Sequence, residues 1–389
     1  MNIKLTNSLG VLISAIRWRV KGGDGGTLPQ SLDEAFTFRL AQYHNVLPWL
    51  WEYVNRFQLG SADFRTRLAK AVREERLRGA FRMKELAALA DTLNQQAIPN
   101  LVFKGVAIEK MFYADRVPCR YSCDTDLLIR PKDFGEVSEI LNTLGYVSCS
   151  SADLSHLSKV LLQNPDVYRW RDVGFKRSQG LQNNIDLHWR IADSFTLPIH
   201  AEELTSIAIQ LDVDGHAIHS LPFSELFVYV CIHGHADYFF RLRYLVDLYC
   251  AMNQPGFDLE RIMQLAELWG VKSTVERSIA TVELFFDKGY KCDMGLEYSS
   301  LVMNRYIENN GFPIRSHPNK SVWKYSDKLK YLVHQIRYRS RKCAWYEPLL
   351  ARFKYTEHSV ADWSVDDVPI TAYRKVIVNR LIRASGQRS

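Results

Sequence analysis

From Ile98 to Pro222 short apolar runs alternate with stretches of helical period, and this alternation limits the possible architecture more than any other feature of the chain. "IPNLVF" reads as a strand and "KGVAIEKMFYA" as a helix that starts on a glycine. "TDLLIR" reads as a second strand, "PKDFGEVSEILNTLG" as a helix with Pro at its start and Gly at its end, and "YVSCS" as a third strand. "NNIDLHWRI" (residues 183–191) alternates as a fourth, and "IQLDVDGHAIHSLP" predicts a hairpin around Asp214-Gly215. Strands and helices in turn over residues 98–222 imply a small core of mixed α and β structure.

Both flanks have the helical period. Residues 1–97 contain "SLDEAFTFRLAQYHNVLPWLWEYV" and a long run from Ala62, with apolar residues three and four apart. Ser31 with Glu34 three residues later predicts a capping box for the first of these. Residues 223–389 form a second helical region. Three regions are therefore expected: 1–97, 98–222 and 223–389. The glycine-rich "KGGDGGT" (residues 21–27) lacks the spacing of a phosphate-binding loop and has no strand before it, so it reads as a flexible connector.

With 389 residues, 47% hydrophobic, the chain can bury two or three cores. "LGVLISAI" (residues 9–16) runs straight into Arg17 and Arg19 and reads as the apolar face of a first helix rather than a signal peptide. No run reaches the roughly 18 to 20 apolar residues of a membrane span. Seven cysteines, an odd number with no CxxC pair, predict free thiols and a reducing, cytoplasmic setting; Cys119 and Cys123 are read as incidental. The net charge of +7 is concentrated: residues 320–354 hold ten Lys or Arg against two acids, interleaved with aromatics. This segment reads as an amphipathic helix with a solvated basic face, the alternative being a surface for nucleic acid.

The chemistry is concentrated in the core. In "VFKGVA" (residues 102–107) a strand ends on Lys104 and Gly105 and a helix begins, so backbone N–H groups and one ammonium converge where an anion can approach. Asp124 and Asp126 are two apart on a strand and so project from one face; like charges held that close call for a cation between them. Asp186, in "IDLHW", places a third carboxylate on a later strand, completing a candidate site for two divalent cations. His188 shares the face of Asp186, either supporting the site or packing in the core. In "CIHGHADYFFRLRYLVDL" (residues 231–248), His233 and His235 lie about 200° apart around a helix, which disfavours a zinc site. Arg243 and Asp247 are spaced as an intrahelical ion pair.

The order "LVFKGVAIEKMFYADRVPCRYSCDTDLLI", then "LGY", then "IDLHW" resembles the bacterial nucleotidyltransferase family of the polymerase-beta-like superfamily. Arg120-x-Ser122-x-Asp124-x-Asp126 fits that family's R-x-S-x-D-x-D block residue by residue. The resemblance covers residues 80–250 well and the rest loosely. It implies an α+β fold, a small mixed sheet with flanking helices between N-terminal and C-terminal helical regions. It implies that Asp124, Asp126 and Asp186 bind two Mg²⁺, with Mn²⁺ a possible substitute, and that Asp186 helps deprotonate an acceptor hydroxyl. It implies further that Lys104 and Gly105 hold the triphosphate of an NTP, by default ATP. Arg120 and Ser122 would support the strand or touch phosphate, and His233 and Arg243 are candidate substrate contacts. Many members carry a serine after the glycine, whereas this chain has Val106, which removes one hydroxyl ligand for the triphosphate. The expected activity is transfer of a nucleoside monophosphate to a hydroxyl on a small molecule, a protein side chain or an RNA end. The alternative is a non-catalytic module of the same fold that binds nucleic acid or a protein through the basic segment.

Overall fold

The structure is a computed structural model that describes residues 7–22, 28, 31–113, 120, 122, 124–150, 153–163, 171–180, 183–192, 199–286, 302–304, 306–307 and 311. Residues 23–27 of the expected connector, Cys119, Cys123 and the basic segment at 320–354 lie outside these residues. The described residues all belong to one compact unit.

Three helices begin the chain: α1 (Asn7–Lys21), α2 (Glu34–His44) and α3 (Leu47–Arg56). Arg19 of α1 pairs with Glu52 of α3 at 2.6 Å, and Trp18 packs edge-on against Tyr53 and Phe57. The predicted Ser31–Glu34 capping box is not formed. Asp33, directly before the first helical residue, supplies the cap, its carboxylate accepting from Phe36 N at 2.9 Å. Glu34 is then the first helical residue rather than the third, and it reaches forward to accept from Ser61 N and Ser61 Oγ at the start of α4 (Ala62–Gln95). Helix α4 runs 34 residues, buried near its N-terminal end at Phe64, Leu68 and Val72 and again from Leu86 to Leu93.

The core follows: β1 (Asn100–Val102), α5 (Val106–Phe112), β2 (Asp124–Ile129), a 3-10 turn at Pro131–Asp133, α6 (Phe134–Thr143), β3 (Tyr146–Ser148) and α7 (Leu154–Gln163). Then come β4 (Asp172–Arg177), β5 (Asn184–His188), α8 (Ala201–Ser206), β6 (Ile209–Val213) and β7 (His216–Ser220). The strands form one mixed sheet in the order β3-β4-β5-β2-β1-β7-β6, with β2 parallel to β5, β1 parallel to β7 and the other neighbours antiparallel. The fold is thus the expected α+β arrangement, and the hairpin at Asp214-Gly215 is β6–β7. Strand β4 has no counterpart in the sequence reading. In "DVGFKR" only Val173 and Phe175 are buried, and three charged residues and a glycine dilute the alternation. The middle strand β2 instead buries Thr125 through Ile129 without a break, because it is covered on both faces.

Four helices follow the core: α9 (Phe223–Ala236), α10 (Leu242–Met252), α11 (Leu259–Leu268) and α12 (Lys272–Phe286). Helix α9 is buried along nearly its whole length, and its Tyr229 packs edge-on against Phe103 at the end of β1. This contact sets α9 beside the end of the sheet where the acidic residues gather. None of the described helices is long and apolar enough to cross a membrane.

Candidate active site

Parallel strands β2 and β5 bring the acids together. Their register sets Asp126 against Asp186, Asp124 against Asn184 and Leu128 against His188. Residues two apart share a face, so Asp124, Asp126, Asp186 and His188 all project to the same side of the sheet. Ligand atoms of Asp126, Asp186 and His188 lie within 4.8 Å of one another, a group able to hold a metal ion. Asp124 stands further toward the strand end and is partly exposed. Ser122 Oγ lies 2.9 Å from its carbonyl and 3.0 Å from its Oδ1, sharing one proton between them.

The turn between β1 and α5 comes in under these acids. Gly105 has φ +52° and ψ −115°, and a Cβ there would sit 3.4 Å from Ser122 Cβ on a backbone that L-residues avoid. Lys104, one residue earlier, donates from Nζ to Asp126 Oδ1 at 2.5 Å and also meets the Tyr229 hydroxyl. Arg120 is buried and faces inward: Nε and Nη2 make a bidentate pair with Asp247 of α10 at 2.8 and 3.0 Å, and Nη1 donates to Gly105 O at 3.3 Å. Tyr113 donates to the same Asp247 at 2.6 Å. The predicted Arg243–Asp247 pair gives way to this arrangement, since Asp247 is 1% exposed and its two oxygens are turned to Arg120 and Tyr113.

The electrostatics separate the acids. Burial raises the Asp126 carboxyl, but the Lys104 ammonium and His188 outweigh it and hold the group well below the usual carboxylate range. Asp186 is pushed up to about 6 by burial and by the negative charge of Asp126, with His188 opposing. Burial disfavours charge on Lys104, yet Tyr229 and Asp126 more than compensate, so it stays protonated. Two neighbouring carboxyls with diverging proton affinities suit a reaction that needs one fixed anion and one proton acceptor.

Strand β4, absent from the sequence reading, supports the site from the far side of β5. Asp172 pairs with His188 across the ladder and Gly174 with Asp186. Asp172 Oδ2 lies 3.4 Å from His188 Nδ1, while His188 Nε2 lies 3.0 Å from Asp126 Oδ1, so the imidazole is held between two carboxylates. A Cβ on Gly174 would come within 3.3 Å of Asp186 Oδ1, so the missing side chain leaves room for that carboxylate. A lone Asp-x-Gly in a charged hexapeptide offers no signal by which these two could have been found.

His233 and Arg243 lie on α9 and α10, and His233 is joined to the acidic group through Tyr229, whose hydroxyl meets Lys104. The His233 ring stacks on Tyr229 at 5.9 Å and meets Tyr244 edge-on at 5.3 Å. Burial and the nearby charges of Lys104 and Arg171 hold it neutral. The Arg243 guanidinium lies over Tyr244 at 5.8 Å. With the Asn45 amide turned to satisfy both its ends, its oxygen accepts from Arg243 at 3.2 Å and Arg241 at 2.8 Å.

A family model described as "Uncharacterised nucleotidyltransferase" matches residues 30–287, two thirds of the chain, including every site residue named above. No curated protein matches the chain.

Proposed function

The chain belongs to this nucleotidyltransferase family, and on that premise we propose that it moves a nucleoside monophosphate from an NTP to an acceptor hydroxyl, with release of pyrophosphate. The observation that carries the reading is the pairing of Asp126 and Asp186 on adjacent parallel strands. Asp126 Oδ2 is buried there without a hydrogen-bond partner. An anionic oxygen left bare in a buried site is costly, and a cation relieves it. The donor set therefore fits a hard divalent ion, which we take to be Mg²⁺, with Asp126, Asp186 and the neighbouring Asp124 as the residues to hold it. When bound, such an ion neutralises charge on the triphosphate and lowers the pKa of a hydroxyl it contacts.

The protein's own groups do the rest. Asp186 takes the proton of the acceptor hydroxyl, whose oxygen then bonds to the α-phosphorus as the bond to the leaving pyrophosphate breaks. Asp126 remains ionised throughout, fixed by Lys104 and His188. Arg120 bridges the carbonyl of Gly105 to Asp247 of α10, a supporting role and not a phosphate contact. Gly105 lets the triphosphate approach the backbone, and His233 and Arg243 are assigned to the substrate side. ATP is the donor we assign. The free thiols of Cys149, Cys231 and Cys250 support a cytoplasmic setting.

Isothermal titration of each NTP with Mg²⁺, and again with EDTA, tests the reading. The wild type is expected to bind one NTP in a metal-dependent way, and Asp124→Ala/Asp126→Ala to lose that binding. A folded wild type that binds no NTP would sink it and leave the non-catalytic module as the reading to pursue.

A further inference from the structure

The two oxygens of Asp126 are unequally used. Oδ1 is met by Lys104 Nζ at 2.5 Å and by His188 Nε2 at 3.0 Å, while Oδ2 is buried with no partner. A carboxylate that holds two metal ions through its two oxygens has to offer a lone pair from each. Here one oxygen is already given to an ammonium and an imidazole.

Lys104 is not a loose surface cation that a second ion would displace. It lies in the tight turn between β1 and α5, its side chain is 17% exposed, and its Nζ is held by the Tyr229 hydroxyl as well as by Asp126. The Phe103 ring lies 5.6 Å from the same nitrogen. Tyr229 is fixed in turn by stacking on His233 and by its edge contact with Phe103. A divalent ion placed at Oδ1 would therefore face a fixed positive charge in direct contact with its own ligand.

We propose that this site takes a single divalent cation, on the Oδ2 side of Asp126 with Asp186, and that the Lys104 ammonium stands where a second ion would bind. The inference rests on the nucleotidyltransferase reading above and changes the metal count that reading would otherwise carry. Lys104 then acts on the acidic pair rather than as a free hand for the triphosphate. Its charge does not depend on metal supply.

Counting bound Mn²⁺ tests this without any turnover. Mn²⁺ is titrated into the protein and followed by the loss of free-ion electron paramagnetic resonance signal, first alone and then with one equivalent of an NTP analogue whose α,β bridge cannot be cleaved. The wild type is expected to bind one Mn²⁺ per chain in both titrations. Lys104→Met, which keeps the stem and removes the charge, is expected to bind two with the analogue; Lys104→Arg is expected to stay at one. A count of two in the wild type overturns the proposal whatever the variants do, and so does a count of one in a Lys104→Met protein shown by circular dichroism to be folded. A count of zero in the wild type brings down the metal-site reading, and this proposal with it.

Discussion

Asp186 holds its charge at odds with its surroundings, because burial disfavours the charge and Asp126 faces it across the ladder. Its folded pKa of about 6 lies above the ordinary aspartate value of 3.8, so the folded protein binds this proton more tightly than the unfolded chain. The contribution to stability is complete below about pH 4, declines as pH rises through about 6, and is absent above that. Asp186→Asn carries no such charge. In EDTA it should melt higher than the wild type at pH 7.5 and at the same temperature near pH 3.5, while losing transfer activity; scanning calorimetry at the two pH values checks this. Gly105 makes a separate demand at the same scale. With φ at +52°, Gly105→Ala is expected to cost about 1–3 kcal/mol in urea unfolding and to weaken NTP binding, since an L side chain strains the backbone of this turn.

At the scale of elements, the site depends on how helix α10 is tied to the β1–α5 turn. Asp247 carries that connection, bonded to Arg120 and Tyr113 in a place closed to water. Removing one member of a buried ion pair leaves the other charge uncompensated, so Asp247→Ala should destabilise the protein by about 3–5 kcal/mol. The double change Arg120→Met/Asp247→Leu removes both charges and should recover much of that loss. A double-mutant cycle in denaturant measures the difference, and additive losses would contradict the coupling. Strand β4 makes the same point by another route. It contributes Asp172 and Gly174 to the setting of His188 and Asp186, and its influence comes from lying next to β5, not from any pattern within its six residues.

At the scale of the molecule, His44 ties distant parts of the chain together. It sits on α2, accepts at Nδ1 from Leu242 N at the start of α10, donates from Nε2 to Gly311 O and stacks on Tyr306. Burial, with the Arg241 charge, lowers its pKa to about 3 from 6.5 despite the bond to Gly311. The unfolded chain therefore binds this proton first as pH falls, and stability drops between about pH 6.5 and 3 at about 1.4 kcal/mol per pH unit from this group. His44→Gln, which cannot titrate, should flatten the acid limb of a pH series of urea unfolding by about that slope. The sequence by itself determined the parts of the molecule that depend on neighbours along the chain. Period and turn residues marked the core and the β6–β7 hairpin, and the i, i+2 spacing put Asp124 and Asp126 on one face of β2 before any partner strand was known. What the tertiary structure decided was pairing. Spacing offered Arg243 to Asp247, Asp247 went to Arg120, and Glu34 capped a different helix from its own. Lys104, read as a phosphate ligand, came to rest on Asp126. Helical and strand periods follow from local backbone geometry and so are written in the sequence. A buried charge takes whichever partner the packing brings within about 3 Å, and that partner can be more than a hundred residues away.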